Sequence, residues 1–221
     1  MGPRTLGWEV LCHSQMIFTL NIYYISRNAR DKITYNDAAN EGFKTRGMVF
    51  TRPSSVAYPT VWHRFTVRRQ GTTASLRVQD LTEDKQEEAL ALLSKHFTRD
   101  EPPCKYIGIN KYPTAVAELE GLWRKTVADR LSLVCVEDKD DGTSSLVGVN
   151  VLTVACKDDK EEPFKTEDRI WAKLFGAVDL VARSVDLFQK YGVDKYLTAY
   201  GLVVAPEWRG CNIGKEILKA R

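Results

Sequence analysis

Gly201-Leu202-Val203-Val204-Ala205-Pro206-Glu207-Trp208-Arg209-Gly210-Cys211-Asn212-Ile213-Gly214 is the stretch that decides the fold. Tyr196 to Val204 reads as a strand, apolar enough to be central in a sheet, and Pro206 ends it. Ile213 to Arg221 then begins a helix whose buried face would carry Ile213, Ile217 and Leu218. The first N–H groups of a helix have no internal acceptor, and the helix dipole there favours negative charge. Gly210 and Gly214 let that backbone approach a ligand closely. An anion, and best a pyrophosphate, fits such a junction. A Walker A loop does not: it needs four residues between its glycines, then Lys and Ser/Thr. Here three residues separate Gly210 from Gly214, and Lys215 is followed by Glu216. The pattern G-x-G-x-x-G is absent as well.

Working outward from this junction, Trp171, Leu174, Val178, Val181, Val185 and Phe188 recur at helical spacing, and Gly192 closes that helix. Leu131 to Glu137 and Leu146 to Ala155 read as two strands of an antiparallel hairpin, with Gly142 in the turn. A helix starts near Pro113 with Val116, Leu119, Trp123 and Val127 on one face. Another follows Thr82, a plausible N-cap, and carries Ala89, Leu90, Leu93 and Phe97 to the loop Arg99-Asp100-Glu101-Pro102-Pro103-Cys104. Ser75 to Gln79 is a strand, and Phe65 and Val67 allow a short one before it. Residues 1–46 show no sustained period and read as an irregular extension. The order of elements predicts a mixed α/β sheet with helices on its faces over 47–221.

Composition narrows the class. Of 221 residues, 43% are hydrophobic and 28% charged, which suits one domain with a sizeable core, or two small ones. The five cysteines, Cys12, Cys104, Cys135, Cys156 and Cys211, are an odd number without a CxxC pair. They read as free thiols in a reducing compartment, the cytoplasm, and give no pattern for zinc or another metal. The net charge of +3 does not mark a nucleic-acid binder: residues 1–72 hold 10 Lys/Arg against 4 Asp/Glu, and the rest hold 22 against 25. Arg64, Arg68 and Arg69 are then a solvated basic patch. The apolar run Met16 to Ile25 is too short to span a membrane, which takes about 20 residues. Ser26-Arg27-Asn28 after it offers no small-x-small cleavage site for a signal peptide.

The segment Arg209-Gly210-Cys211-Asn212-Ile213-Gly214, behind its Val-x-Pro strand exit, resembles the pyrophosphate loop Q/R-x-x-G-x-G/A of the GNAT N-acetyltransferases. Asn212 stands where that family usually has Gly, and Asn is among the residues that tolerate positive φ. Pro59-Thr60-Val61-Trp62, Arg77-Val78-Gln79-Asp80-Leu81, Lys95-His96-Phe97, Asp100-Glu101-Pro102 and Tyr196-Leu197-Thr198-Ala199-Tyr200-Gly201 look like the insect arylalkylamine N-acetyltransferases. The likeness covers about residues 58–221.

The resemblance implies a mostly antiparallel sheet with a splayed central strand pair that holds acetyl-CoA. The backbone of Leu202, Val203 and Val204 would bind the coenzyme and polarise the acetyl carbonyl. The amides of Arg209, Gly210, Cys211, Asn212, Ile213 and Gly214 would take the pyrophosphate. Glu101, in the Asp-Glu-Pro turn, would be the base that removes the amine proton through water. The partners implied are acetyl-CoA and a small primary amine, with no metal, nucleic acid or membrane. His96 reads as a structural histidine, Trp123, Trp171 and Tyr200 as core or pocket wall, and Cys211 as a small loop filler. Relatives continue past the helix at Arg221 with further strands, so the sequence is expected to be an incomplete acetyltransferase domain with an open sheet edge. The alternative is an inactive remnant that binds coenzyme A or a partner through that edge; a complete domain would be a monomer.

Overall fold

The computed structural model describes residues 50, 52–159 and 166–221. The extension over 1–46 lies outside the described residues. Five strands form one sheet in the order β1 (Val61–Arg69), β2 (Thr72–Asp80), β3 (Leu133–Asp138), β4 (Ser144–Cys156) and β5 (Lys195–Val204), and every neighbouring pair is antiparallel. The hairpin predicted from 131–155 is therefore β3–β4, and the short strand around Phe65 is a nine-residue edge strand. β1 presents Arg64 and Arg68 to solvent and is bulged between Val61 and His63.

Apolar residues fill both faces, as an antiparallel sheet covered on two sides requires. β3 shows this most directly. Val134 and Val136 join one core cluster, while Leu133 and Cys135 join the other. The first face is covered by α1 (Gln86–Leu92) with its continuation, α4 (Pro113–Val127) and α5 (Arg169–Arg183). The second is covered by Trp208 and α7 (Ile213–Ala220), through the buried Ile213 and Ile217. Leu218, expected beside them, is only half-buried, since it sits at the margin of that stripe.

Three helix readings change. The stretch expected as one helix over 83–97 opens with a 3-10 turn at Glu83–Lys85, and Thr82 makes no side-chain cap bond. It then widens to a π turn at Leu93–Phe97 and continues into α2 (Thr98–Asp100). The expected loop at 99–104 reduces to Glu101 alone, with ψ 129°. Pro102 forces its predecessor out of helical geometry and then serves as first residue of α3 (Pro102–Ile107). The stripe from Trp171 to Phe188 is also broken. Ser184 caps α5, and Asp186 starts α6 (Leu187–Tyr191) by accepting the Gln189 N–H, as short polar side chains prefer to do at helix ends. Trp171 and Leu174 are buried, but Val181 and Val185 are 46% and 41% exposed.

A partly buried cation ties the chain before β1 to the sheet. Arg52 donates to Asp80 at 3.0 and 2.8 Å, and Asp80 also accepts from the Thr60 amide (2.7 Å) and the Trp62 indole (2.8 Å). The Asp80 side chain is 1% exposed.

Gly148 in β4 sits where α7 crosses the sheet. A Cβ there would lie 3.0 Å from both the Val203 carbonyl oxygen and Ile217 Cδ1. Gly148→Ala must push helix or strand aside, an overpacking that costs about 1–3 kcal/mol. A thermal melt is expected to show a drop of roughly 2–12 °C; an unchanged melting temperature would mean that α7 is not seated on β4.

Candidate active site

The strand, loop and helix read from 196–221 are present and contiguous. The Ala205 N–H donates to the Val147 carbonyl at 2.8 Å. In an antiparallel ladder alternate residues turn both backbone groups to the partner strand. Val203, opposite Val149, therefore faces β4, whereas Leu202 and Val204 turn their N–H and C=O toward the outer edge of β5. That edge is unpaired among the described residues.

At its end the chain makes a short 3-10 turn, Pro206–Trp208, and enters the small-residue loop. Gly210 has φ +82° and Asn212 φ +59°. Asn212 thus takes the left-handed conformation that a family glycine would take, and its side chain makes no cap bond. The Arg209 N–H is bonded to the Pro206 carbonyl at 3.2 Å. The amides of Gly210 to Gly214 make no backbone bond among the described residues, and they gather at the N-terminus of α7. Gly214 passes 3.9 Å from Leu202 Cδ2 and Val204 Cγ2, measured from where its Cβ would be, so α7 lies close over the strand it follows. The Cys211 side chain packs on the second core cluster, as a loop filler does.

Arg209 joins this loop to the turn that carries Glu101. Its Nε donates to the outward-facing Val204 carbonyl at 3.0 Å, and its guanidinium pairs with Asp100 at 2.7 Å. Arg99 grips the same carboxylate at 2.7 and 2.8 Å. Asp100 is held well below the usual carboxylate range, by the Arg99 hydrogen bonds first and by Arg209 after them. This clip was not legible in the sequence, because Asp100 and Arg209 stand far apart along the chain and only the folded strand brings them together.

Glu101 is 8% exposed. One of its oxygens accepts the Cys104 N–H at 2.7 Å and so caps α3. The other, Oε1, is buried and has no hydrogen-bond partner among the described residues. Burial raises the carboxyl pKa, and the Cys104 N–H and thiol, both bonded to this carboxylate, work against that rise. The result is a carboxylate fixed in orientation, with one oxygen uncommitted and a raised proton affinity. The sequence held the signal for the cap in a carboxylate directly before Pro102 and three residues before Cys104.

The other candidates are quieter. His96 is held below the ordinary imidazole value by burial and by the nearby Arg99, Lys95 and Arg209, so it is neutral at pH 7. Trp123 is fully buried, edge-on to Phe97 at 5.5 Å, and its indole N–H donates to the Tyr200 carbonyl at 2.9 Å. Arg69 donates to the Glu207 carbonyl and stacks 4.6 Å from the Trp208 ring. Among the described residues there is no metal-holding group of three or more His, Cys, Asp or Glu, and no helix is long and apolar enough to cross a membrane. A groove of about 580 Å³ between α4 and α5, bordered by Gly121, Trp171 and Phe175, shares no residue with the site.

No protein-family model and no curated protein sequence matches the chain. Solved structures do. A putative arylalkylamine N-acetyltransferase 7 from the yellow fever mosquito is 37% identical, with a TM-score of 0.73, over 78% of this chain and 72% of that one. Arylalkylamine N-acetyltransferase 2 from Aedes aegypti is 20% identical, with a TM-score of 0.56, over 65% of this chain and 67% of that one. A mosquito arylalkylamine N-acetyltransferase like 5b is 18% identical, with a TM-score of 0.51, over 65% and 68%. The last two speak for the GNAT α/β fold alone. The first, in identity and coverage together, shows that this chain belongs to the insect arylalkylamine N-acetyltransferase family.

Proposed function

We propose that this chain transfers the acetyl group of acetyl-CoA to a primary amine, an arylalkylamine or a related small amine. One observation carries the reading beyond family membership: the outward-turned backbone of Leu202 and Val204 leads, through the short Pro206–Trp208 turn, to the amides of Gly210 to Gly214, which make no backbone bond among the described residues. The strand edge offers the pantetheine arm hydrogen bonds of the kind a neighbouring strand would make. The amides at the head of α7 favour the pyrophosphate through their dipole.

The residues then divide the chemistry. An outward N–H at Leu202 or Val204 stabilises negative charge as it develops on the acetyl oxygen. An alkylamine is mostly ammonium at pH 7 and must lose a proton before it can attack. Glu101 Oε1, buried and without a partner among the described residues, accepts that proton through water. The amine nitrogen then bonds to the acetyl carbon, the carbon–sulfur bond breaks, and the leaving thiolate takes up the second nitrogen proton and departs with the coenzyme as the free thiol. Arg209 keeps the Val204 carbonyl occupied, which leaves the Val204 N–H and both groups of Leu202 for the ligand. Cys104, Cys135, Cys156 and Cys211 are free thiols, so the proposed site of action is the reducing cytoplasm.

The test is thiol release from acetyl-CoA in the presence of dopamine, tyramine, serotonin or agmatine, read beside a thermal melt. Amine-dependent release supports the enzyme. Stabilisation by acetyl-CoA without release with any amine identifies a binding remnant instead. Neither stabilisation nor release overturns both.

A further inference from the structure

β5 carries one residue too many for its ladder with β4. Below the irregularity Leu152 stands opposite Ala199; above it Val151 stands opposite Gly201, so Tyr200 is the extra residue. The bulge decides which groups the strand turns outward. At the lower end the Lys157 N–H donates to the Asp194 carbonyl at 2.8 Å. Counting up from Asp194 in steps of two, without a bulge, would turn Leu202 and Val204 toward β4 and leave Gly201 and Val203 on the outside. Counting down from Ala205, whose N–H bonds to Val147, gives the opposite arrangement, the one observed. The inserted residue therefore exchanges the two sets.

Two side chains hold it in place. The Trp123 indole N–H, from the helical layer on one face, donates to the Tyr200 carbonyl at 2.9 Å. The Asn150 carboxamide donates to the Gly201 carbonyl at 2.8 Å. Asn150 lies between Val149 and Val151, both in the first core, so it projects to the opposite face. Both pins are fully buried. Gly201 completes the arrangement: a Cβ there would meet Leu93 and Phe97 at 3.4 Å and the Trp123 nitrogen at 3.5 Å.

We propose that Trp123 and Asn150 are positioning residues for acetyl transfer, each donating one side-chain N–H that fixes the bulge and so turns Leu202 and Val204, rather than Val203, toward the ligand. This rests on the acetyl-transfer reading above. Trp123→Phe keeps the ring in the core and removes only the donor; Asn150→Leu keeps the volume and removes the amide. Each variant of the 221-residue chain is compared with wild type for acetyl-CoA binding, 3′,5′-ADP binding, kcat and amide hydrogen exchange. The expected result is acetyl-CoA binding weakened about tenfold and kcat lowered at least as much, since small misplacements at a reacting centre are costly. Binding of 3′,5′-ADP, which needs only the loop, stays unchanged. In wild type the Leu202 and Val204 amides exchange fast and Val203 slowly; the variants lose that contrast. Leu119→Ala, a purely packing change in the same helix as Trp123, lowers stability without altering the contrast or the ratio of the two affinities.

Variants that bind and turn over like wild type with the exchange contrast intact overturn the positioning role. So does a parallel loss of 3′,5′-ADP and acetyl-CoA binding, which would mean a general structural effect. A wild-type chain that binds no acetyl-CoA overturns the functional reading, and this proposal with it.

Discussion

Glu101→Gln is expected to lower kcat for amine acetylation by about 10²-fold or more at pH 7, in the range general bases contribute. The substitution is close to isosteric. Its carbonyl oxygen still accepts the Cys104 N–H and keeps the cap on α3, so the fold is not the variable. The sign of the stability effect separates the two roles. Burial raises the Glu101 pKa, so the native state holds this proton more tightly than the unfolded chain does. Stability from that group is full below the unfolded carboxyl pKa and is lost as pH rises through the higher native value. A neutral Gln carries no such loss, so the variant should melt at or above the wild-type temperature near neutrality while being nearly inactive. The deficit should be largest above the raised Glu101 pKa but while ammonium still predominates, and shrink toward pH 10, where the amine deprotonates unaided. A variant with the wild-type rate and pH profile would remove Glu101 from the mechanism.

The second large effect is structural. Asp80→Ala is expected to destabilise the domain by about 3–5 kcal/mol, because removing one member of a buried ion pair strands the other. Arg52 would lose both charge-assisted bonds, and the Thr60 amide and Trp62 indole would lose their acceptor. For a chain of this size the melting temperature should fall by roughly 6–20 °C. Arg52 also stacks 5.3 Å from Tyr58 and 5.6 Å from Trp62, so the loss spreads through the whole segment before β1. The double variant Asp80→Leu with Arg52→Leu should cost less than Asp80→Ala alone, since it buries no uncompensated charge. If the double variant is the worse of the two, the ion pair is a net source of stability.

What was legible in the sequence was local. Strand, Pro exit, small residues and helix follow one another within Gly201 to Gly214, and each acts on its neighbours, so the anion loop could be placed with its boundaries. Asn212 could be assigned positive φ because its tolerance is a property of one residue. The helix at 169–191 was misjoined for the converse reason. The 3.6 period continues through Ser184 and Asp186, and only the capping bonds show where the chain changes direction. Partners distant along the chain left no pattern. Asp80 with Arg52, Asp100 with Arg209, and Trp123 with the Tyr200 carbonyl are decided by which strand lies beside which. Trp123, read from sequence as core or pocket wall, lies in the core; that its N–H also meets a strand carbonyl depends on one extra residue in β5, which no periodicity in 195–204 announces.

The two rims of the sheet are unlike. β1 shows Arg64 and Arg68 and is kinked by its bulge, so a second strand laid along it meets charge and broken register. Past its own bulge β5 turns outward both backbone groups of Leu202 and the Val204 N–H, the Val204 carbonyl being taken by Arg209. Among the described residues, an edge-to-edge contact between two copies would therefore pair β5 with β5 in antiparallel sense, and it would compete with the coenzyme for the same groups. Such a contact is closed by a twofold axis and consumes both available rims.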